Sequence, residues 1–521
     1  MNKTNKSIPK PETYKGIYSI HKYWGKKPSN VIRYFIEKFS DTNDIVVDPF
    51  SGSGIAPIEA SLTKRRGVGI DINPIAIQIS YEMVNQINID DLKREYLRIK
   101  NSTLPIIKKY YETKTFEGKL VASHYVWKES TLKEVWYKKG RKNVSKKPDK
   151  QDIILSRTTT YKHIPHFYPK KKLLPNSRIN TSKGQHVNDL FTPRNLLVLA
   201  KIFNEIKKTK NKDIKSTLQT IFTASLGQAS KMVFVVNNRK GKKVKKQVGS
   251  WVIGYWMPKE HFEINPLTCF ENRYNRMLKA KKLINQHSPI TVSKDIKEFF
   301  EKTSQLCLIT GSSEKVLKKI PSKSVDYLIT DPPHGNRIPY LELSEIWNSW
   351  FNNKVDYSSE MVISDSPIRG KNKISYFNTF EKILIQSKRI MKNEAIFSLL
   401  FNTLDNFTWI ELLKLVQKTG FTLNEIETLN YSANSVIQDN RKFGLKNDFV
   451  LHLKKANGNE HKIKPLKNEE EQDIIKKLVE KTKTNNSKYS NIEILNEIIT
   501  TLIKKQKICR LSTIIDSLKK G

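Results

Sequence analysis

The stretch "DIVVDPFSGSG", Asp44 to Gly54, joins a short apolar run to a glycine-rich turn. The run predicts a buried strand, and "GIAPIEASLTKRR" after it has the spacing of a helix. "GVGIDIN" then predicts a second strand, and Pro74 stands at the first position of the next helix, which proline favours. Strands that alternate with helices over residues 41–90 predict an α/β fold with a parallel sheet.

The glycine turn has the features of a ligand-binding loop. Gly52 and Gly54 allow the backbone to approach a ligand, and the following helix presents its positive N-terminal end. Asp71 ends the second strand, where a carboxylate can accept both hydroxyl groups of a ribose. A simpler interpretation stays open: the glycines make a tight turn, and Asp71 caps the helix that contains Pro74.

Two details indicate which ligand the turn suits. Pro57 occupies the third glycine position of a dinucleotide-binding motif, and Asp48, directly before the turn, would repel a pyrophosphate. A ligand with a sulfonium, an ammonium group and a ribose fits better, which predicts S-adenosylmethionine (SAM). The predicted cofactor-binding residues of this part of the chain are Asp48, Pro49, Phe50, Ser51, Gly52, Gly54 and Asp71.

A second motif, "VDYLITDPPHGN" (Val325 to Asn336), ends an apolar strand abruptly. Pro332 restricts Asp331 to extended geometry, and neither proline has an N–H, so strand and helix both stop here. The result is a rigid corner that presents a carboxylate beside a bare carbonyl. Two acceptors of this kind can bind both N–H groups of an exocyclic amine and aim its lone pair at a methyl donor. Taken alone, the motif could also be a surface turn.

His334 follows the corner and is planar, so it could stack on a base that has left the helix, or hydrogen-bond to it. The predicted catalytic residues are therefore Asp331, Pro332, Pro333 and His334.

The charge of the chain indicates a polyanionic partner. Lys and Arg number 93 against 51 Asp and Glu, a formal net charge of +42, which favours nucleic acid binding. Basic runs at Arg141–Lys150 and Arg239–Lys246 lie near several tryptophans. Such runs are also commonly just solvated loops, so their role as phosphate contacts is an expectation.

Together, "DPFSGSG", "GIDINP" and "TDPPHG" resemble the amino-directed (N6-adenine or N4-cytosine) site-specific DNA methyltransferases. Further segments resemble one bacterial branch of that family: "HKYWGKKPSNVI" (His21 to Ile32), "NRIPYLELSEIWNSW", "VISDSPIRGK" and "SVIQDNRKFGLKNDFVLHLKK". The resemblance covers about residues 17 to 455. It implies a class I SAM-dependent methyltransferase fold, a seven-stranded, mostly parallel sheet with helices on both faces.

The resemblance also implies further site residues. In this family the "HKYWGKKP" segment helps to hold the methionine part of SAM, which points to Lys27 and Pro28, and less directly to His21 and Trp24. Relatives often have an acid after the strand "CLIT" that contacts the adenine of SAM. Here the sequence is "GSS", so Ser312 is expected to do only part of that job. The fourth position of the catalytic motif is usually Tyr, Phe or Trp, and His334 departs from that pattern.

Four regions follow from these patterns. Residues 1–100 are expected to form the SAM-binding first part of the methyltransferase domain, and residues 101–300 a basic insertion that recognises the DNA target. Residues 301–456 are expected to form the catalytic second part, and residues 457–521 a small helical tail of unknown role.

Two further expectations concern zinc and the cellular location of the protein. Cys269, Cys307 and Cys509 form no zinc pattern, and no cysteine precedes residue 269, so we expect no zinc ribbon of the kind that some relatives carry. No apolar run is long enough to span a bilayer and no secretion signal is visible, which predicts a cytoplasmic protein without membrane contact.

The function that these expectations favour is a DNA methyltransferase of a restriction-modification system, with double-stranded DNA as substrate, N6-adenine preferred slightly over N4-cytosine, and possibly a cognate restriction endonuclease as partner. Two alternatives stay open. One is a tRNA guanine-N2 methyltransferase, which shares a similar corner. The other is a non-catalytic nucleic-acid-binding protein with a decayed methyltransferase fold.

Overall fold

The structure is a computed structural model that describes residues 7–140, 142–240, 243–251, 254–301, 303–401, 406–430, 447–456, 464–466, 468–485, 491–505 and 507–520. The strands, in chain order, are β1 (Ile45–Asp48), β2 (Arg66–Asp71), β3 (Glu112–Thr115), β4 (Gly118–Lys128), β5 (Thr131–Lys139), β6 (Lys142–Lys146), β7 (Val233–Lys240), β8 (Lys243–Trp251), β9 (Glu260–Ile264), β10 (Val292–Ser293), β11 (Leu306–Thr310), β12 (Val325–Thr330), β13 (Met391–Phe401), β14 (Phe421–Asn430), β15 (Asn447–Lys455), β16 (Lys464–Pro465) and β17 (Lys507–Ile508).

The α-helices are α1 (Ser29–Phe39), α2 (Ile55–Leu62), α3 (Pro74–Glu82), α4 (Ile89–Tyr111), α5 (Lys150–Thr158), α6 (Pro193–Lys207), α7 (Lys212–Leu226), α8 (Pro266–Ile284), α9 (Ile296–Glu301), α10 (Ser313–Leu317), α11 (Tyr340–Leu343), α12 (Glu345–Asn348), α13 (Lys373–Ile390), α14 (Asn406–Lys418), α15 (Asn468–Asn485), α16 (Asn491–Lys504) and α17 (Leu511–Lys520). Short 3₁₀ turns lie at Gly16–Ser19, Tyr161–His163, Val187–Leu190 and Ser349–Phe351.

The main sheet has the strand order β10-β11-β2-β1-β12-β13-β15-β14. Every pair from β10 to β13 is parallel, whereas β15 runs antiparallel to both β13 and β14. The α/β class is as predicted, but the expected seven strands are not confirmed. The sheet has eight, because the two-residue strand β10 pairs with β11 and extends that edge, and it is mixed because of β15.

Both faces of this sheet are buried. Alternate residues of a strand point to opposite faces, so Val46 and Val47 of β1 belong to two separate core clusters. One cluster contains the apolar faces of α1 to α4 and the other those of α9, α10, α13 and α14. Helices therefore cover both faces, which explains why the strands are apolar throughout rather than alternating.

The order of the strands opens a cleft at one edge of the sheet. The chain passes from β1 to β2 and β11 on one side, and then returns to β12 on the other side of β1. Such a reversal leaves a crevice at the carboxyl ends of the strands, where α/β proteins commonly bind ligands. Asp48, Asp71 and Asp331 all end or directly follow strands at this edge.

The packing of α2 on β2 explains why Pro57 replaces a glycine in the turn motif. A Cβ atom on Gly67 of β2 would lie 2.1 Å from the backbone oxygen of Pro57, and one on Gly69 would lie 2.8 Å from the Pro57 ring. The helix and the strand thus approach so closely that a side chain on either glycine would overlap Pro57. Here the glycines that permit the contact are on the strand.

The expected insertion contains an antiparallel sheet that the sequence patterns did not predict. Its strand order is β6-β5-β4-β9-β7-β8, with β3 paired to β4. Beneath it, Arg194 of α6 forms a fully buried ion pair with Glu263 of β9, at 2.7 Å between Nη2 and Oε2. The expected boundary at residues 100/101 falls inside the continuous helix α4, and that at 300/301 falls within α9.

Two lysines of the predicted basic runs are held by acids in the insertion. Lys146 lies 2.8 Å from both Asp149 and Asp152, and Lys246 lies 2.9 Å from both Glu134 and Glu260. These ammonium groups are therefore less available to phosphates than the sequence suggests. Residues 141 and 241–242 of the two runs lie outside the described residues.

The C-terminal helices α15, α16 and α17 pack into the core on the α13–α14 side of the main sheet. Ile475, Ile498 and Ile514, one from each helix, are fully buried there. No helix of the described residues has the length and apolar character needed to cross a membrane. Within the same residues, no cluster of His, Cys, Asp and Glu side chains could hold a metal ion.

Replacing Gly67 by alanine should lower the free energy of unfolding by about 3 kcal/mol or more, because the new methyl group would overlap backbone rather than a movable side chain. Urea unfolding monitored by circular dichroism measures the change. Gly311→Ala is the matched control, since its Cβ would meet the Val316 side chain at 3.1 Å, and we expect a loss below about 1 kcal/mol. An unchanged urea midpoint for Gly67→Ala would refute the packing argument.

Candidate functional site

A cavity that opens to solvent lies at the carboxyl ends of the central strands. Of the residues predicted from sequence, its lining includes Trp24, Lys27, Asp48, Phe50, Ser51, Gly52, Asp71, Ser312, Asp331 and Pro333. Five separate parts of the chain contribute these residues: the segment before α1, the β1–α2 turn, the end of β2, the turn after β11, and the corner after β12. The fold therefore brings together motifs that lie up to 300 residues apart in sequence.

The glycine turn is fixed by hydrogen bonds to β2. The amide of Ser51 donates to the carbonyl of Ile70 at 2.9 Å, and the amide of Gly52 donates to Asp71 Oδ2 at 2.8 Å. Gly52 and Gly54 both have positive φ, +50° and +78°, as a turn of this shape requires. Asp71 Oδ1 accepts a second amide hydrogen bond, from Asn73 at 2.8 Å. Burial outweighs these bonds and raises the pKa of Asp71 to about 6.

Asp48 joins the turn to the neighbouring strand. Its Oδ1 accepts hydrogen bonds from the Thr330 hydroxyl at 2.6 Å and from the Phe50 amide at 3.0 Å. Burial raises the pKa of Asp48 to about 7, and the nearby charges of Asp331 and Asp71 add to the rise. The turn thus places a carboxyl group that ionises near neutral pH in the cavity wall.

The corner after β12 is held from two sides. The hydroxyl of Tyr376, a buried residue of α13, donates to the carbonyl of Pro333 at 2.6 Å. His334 stacks on Phe401, with ring centroids 4.8 Å apart and planes at 23°, and its Nε2 donates to Asp331 Oδ1 at 2.9 Å. This hydrogen bond links the position of the imidazole to that of the carboxylate.

The other oxygen of Asp331 faces a lysine. Lys27 Nζ lies 2.8 Å from Asp331 Oδ2 and also 2.8 Å from Oδ2 of Asp448, a residue of β15. Burial alone would raise the pKa of Asp331, but the charges of Lys27 and His334 and their hydrogen bonds outweigh it and keep that pKa below its ordinary value. The corner therefore presents an ionised carboxylate.

The remaining predicted residues have scaffold positions. Pro28 starts α1 and its carbonyl accepts from the amides of Val31 and Ile32. Gly54 begins α2, and the carbonyl of Pro49 accepts a hydrogen bond from the hydroxyl of Ser313. None of these three lines the cavity, and neither do Pro332 and His334.

His21 and Trp24 differ in their surroundings. His21 is buried against α7, with Nε2 3.1 Å from the Thr223 hydroxyl, and burial lowers its pKa to about 3. Trp24 lines the cavity and stacks on Trp347 at 4.8 Å. His21 is thus part of the contact between the N-terminal segment and the insertion rather than of the cavity.

Two lining or supporting residues were missed by sequence reasoning. Asp448 lies in the quoted stretch "NDFVLHLKK" without an assigned role, because nothing local pairs it with Lys27. Lys26 lines the cavity, and its Nζ donates to the carbonyls of Tyr18 at 3.0 Å and His21 at 2.8 Å. Burial lowers the pKa of Lys26 to about 7. Its basic neighbour Lys27 was singled out only through the family resemblance.

The cavity has the properties that a polar ligand requires. Ser51 Oγ and Trp24 Nε1 are buried in its wall, and neither has a hydrogen-bond partner among the described residues. Buried polar groups are normally satisfied, so such atoms indicate a ligand or ordered water. The acids Asp48 and Asp71 and the amine of Lys26 suit a ligand that carries cationic groups, hydroxyls and a carboxylate. The residues present therefore fit SAM.

Comparisons with known proteins agree with this geometry. Residues 2–82, which contain the glycine turn and Lys27, match the family model N6_N4_Mtase, described as DNA methylase. Over 451 residues the chain is 22% identical to the Type II methyltransferase M.MjaII of Methanocaldococcus jannaschii, which covers 80% of this chain and 77% of that protein. Both matches support the amino-methyltransferase family.

Because the pKa of Asp48 is raised, Asp48→Asn should increase the free energy of unfolding by an amount that depends on pH. Between about pH 4 and pH 7 the folded wild type binds more protons at Asp48 than the unfolded chain, so its stability falls as pH rises. Asparagine cannot ionise, and its Oδ1 can still accept from Thr330 and Phe50. The variant should match the wild type near pH 4 and exceed its stability at pH 8, by up to about 4 kcal/mol, in thermal unfolding scans.

Asp356→Asn provides a control of opposite sign. Hydrogen bonds from Ser358 and Ser359 lower the pKa of Asp356 to about 2, so this variant should lose stability at pH 8. If Asp48→Asn were equally stable at both pH values relative to the wild type, Asp48 would not be the buried, near-neutral acid described above.

Proposed function

We propose that the chain is a site-specific DNA methyltransferase that transfers a methyl group from SAM to an exocyclic amino group of a base. The observation that carries the proposal is the position of Asp331. Its ionised carboxylate stands on a two-proline corner, at the edge of a cavity whose wall contains Asp48 and Asp71. An acceptor for an amine and a site for a cationic methyl donor thus share one cleft.

Residues of the cavity would hold SAM. Asp71 would accept the ribose hydroxyls, the Gly52 turn would lie against the ligand, and Lys26 would meet the carboxylate of the methionine part. Ser312, at the start of α10, would border the adenine. When bound, SAM supplies a methyl group on a sulfonium; the N–CH₃ bond forms as the S–CH₃ bond breaks, with that electron pair returning to sulfur.

The residues of the corner act on the amine. Asp331 and the carbonyl of Pro332 accept its two N–H groups, which withdraws the lone pair from the ring and directs it toward the methyl group. After transfer the nitrogen is cationic, and it releases one proton to Asp331, from which solvent takes it. His334 must give up its bond to Asp331 Oδ1 when the amine arrives, which frees its ring to stack on the base.

A second, polar cavity beside the corner offers a path for the nucleic acid. A loop of the insertion reaches it, with the Asn176 side chain donating to Ser364 Oγ at 3.3 Å and the Ser177 amide donating to Asp365 at 3.2 Å. The lining consists of Asn176, Ser177, Arg178, Asn336, Ile363, Ser364, Asp365, Lys371, Asn372 and Lys373. Amides and exposed cations of this kind suit phosphate and base-edge contacts with a DNA strand.

Adenine N6 is the preferred target over cytosine N4, because the corner begins with Asp331, whereas cytosine enzymes of the resembled family often begin with serine. The similarity to a protein named a Type II methyltransferase supports a place in restriction-modification, with a cognate endonuclease as partner. Double-stranded DNA and SAM are accordingly the proposed substrate and cofactor.

Incubation with methyl-labelled SAM and either duplex DNA or tRNA tests the proposal. The wild type should label duplex DNA, and nucleoside chromatography should identify N6-methyladenine. Asp331→Ala should lower the rate constant at least about 100-fold, because it removes the amine acceptor, while SAM binding by calorimetry is retained. Label in tRNA alone would contradict the DNA assignment. No label in either nucleic acid would favour a binding protein with a decayed fold.

His334→Tyr tests the stacking role separately. The stacked arrangement on Phe401 can accommodate a flat phenol, so methyl transfer should stay within about tenfold of the wild type. His334→Ala should lower the rate of methyl transfer about 10- to 100-fold, since base–aromatic stacking contributes about 1–3 kcal/mol. Single-turnover methylation measures both. If the tyrosine variant were inactive, the imidazole would be acting through its hydrogen bond or as a proton carrier.

A further inference from the structure

Three distant parts of the chain meet at Lys27. The lysine belongs to the segment before α1, Asp331 follows β12, and Asp448 lies on β15. Both carboxylates are 2.8 Å from the same Nζ. The three side chains are 13%, 18% and 4% exposed, respectively, so the contacts are shielded from water.

This arrangement differs from the role that the family resemblance implies for Lys27. An ammonium group has three donors, and two carboxylates lie at hydrogen-bond distance from this one. Burial alone would lower the pKa of Lys27, but the charges of Asp331 and Asp448 outweigh it and raise that pKa above its ordinary value. The lysine is thus a permanent cation, directed at the corner rather than at the methionine part of SAM.

We propose that Lys27 and Asp448 are a positioning pair for the catalytic carboxylate: Asp448 anchors the ammonium of Lys27, and Lys27 fixes Oδ2 of Asp331, so that Oδ1 faces the target amine. This inference rests on the proposed function. It adds two residues that act on the reaction through Asp331, one of which, Lys27, also lines the cavity.

The geometry explains why Lys27 needs Asp448 in order to hold Asp331 in place. A lysine side chain carries its ammonium group on a flexible four-carbon stem. The ammonium therefore has no fixed position unless a partner binds it. β15 pairs with β13 and β14, and Asp448 itself lies opposite Leu429 of β14, next to Phe449, which pairs with β13, so the sheet holds the backbone of Asp448 in place. The pair therefore limits the motion of Asp331 at Oδ2, while the two prolines limit it at the backbone. A misplacement of about 1 Å at a reacting group is enough to lower a rate about 100-fold.

The charges favour the same arrangement. Lys27 alone would neutralise Asp331 and weaken it as an acceptor for an amine that becomes cationic during transfer. Asp448 restores a net charge of −1 to the group of three. Fixed charge of this sign, in a water-poor site, stabilises positive charge as it develops on the target nitrogen.

The test uses the full chain with Asp448→Asn, Lys27→Met and the double variant. Asparagine keeps the size of Asp448 and removes its charge. For each variant we would measure the single-turnover rate constant on duplex DNA at saturating SAM, the Kd of SAM by calorimetry, and the Kd of DNA by anisotropy. Thermal unfolding reports whether each variant is folded.

We expect Asp448→Asn to lower the rate constant roughly 10- to 100-fold, with the Kd of SAM and of DNA within about threefold of wild type. Lys27→Met should lower the rate constant by at least the same factor. Because the two residues act as a unit, the rate constant of the double variant should be at most about threefold lower than that of Lys27→Met.

Lys38→Met is the matched control. Lys38 of α1 is also a buried lysine between two carboxylates, 3.1 Å from Glu425 and 3.0 Å from Glu427, but it does not line the cavity. Its loss should lower the melting temperature and leave the rate constant unchanged. An equal fall in rate for Lys38→Met would show that buried lysine pairs act only through stability, and would overturn the proposal.

Two other outcomes would overturn it and are distinct from failure of the proposed function. One is a wild-type rate constant for Asp448→Asn. The other is a more than tenfold rise in the Kd of SAM for Lys27→Met with an unchanged rate constant at saturation, which would make Lys27 a cofactor ligand. Failure of the wild type to methylate any nucleic acid would overturn the proposed function and this inference together.

Discussion

The parallel pairing of β1 with β12 is the constraint on which the candidate site depends. The register that sets Val47 opposite Leu328 brings the ends of both strands together, and the Thr330 hydroxyl then donates to Asp48 at 2.6 Å. Asp331 follows Thr330 directly, so the corner has a fixed position relative to the glycine turn. A shift of the register by one residue would turn every side chain of β12 to the other face and would separate the two halves of the site.

The parts of the fold that sequence could predict are those with local causes. The apolar runs before Asp48, Asp71 and Asp331 predicted three adjacent strands, and proline stereochemistry predicted the corner. The order of the strands in the sheet, which sequence did not predict, then places these three acids near one another at the shared carboxyl edge. The ion pairs of Lys27 were not predictable in this way. They depend on the insertion of β15 between β13 and β14, which no local pattern records.

The insertion shows the same limit. Several of its antiparallel strands are rich in lysine, and β4 is buried over six consecutive residues, 122–127, rather than at alternate positions, so no period of two marked it as a strand. Helix α6, by contrast, has the long amphipathic pattern that a sequence reveals more readily. Likewise, charge runs predicted exposed cations, but the acids that hold Lys146 and Lys246 come from neighbouring strands and loops. Residues 435–446 of the resembled stretch lie outside the described residues, so that part of the prediction has no structural counterpart.

Charge is distributed oppositely on the surface and in the cavity. The chain has a net charge of +42, yet the cavity wall contains Asp48, Asp71 and Asp331. A basic exterior attracts a polyanion over distances up to about a Debye length, whereas buried acids act only on a ligand that has entered the cleft. One molecule can thereby select an anionic polymer and a small cation without conflict, because the two recognition events occur at different depths.

The contact between the Pro57 ring and Gly69 has an evolutionary consequence. Close approach of α2 and β2 requires one partner to lack a bulky group, and either element can supply it. Positions 57 and 69 should therefore vary together among related chains: a glycine at the helix position leaves room for a Cβ on the strand, whereas a proline there requires glycine on the strand. A fingerprint that demands glycine at one fixed position would miss chains in which the facing strand supplies it.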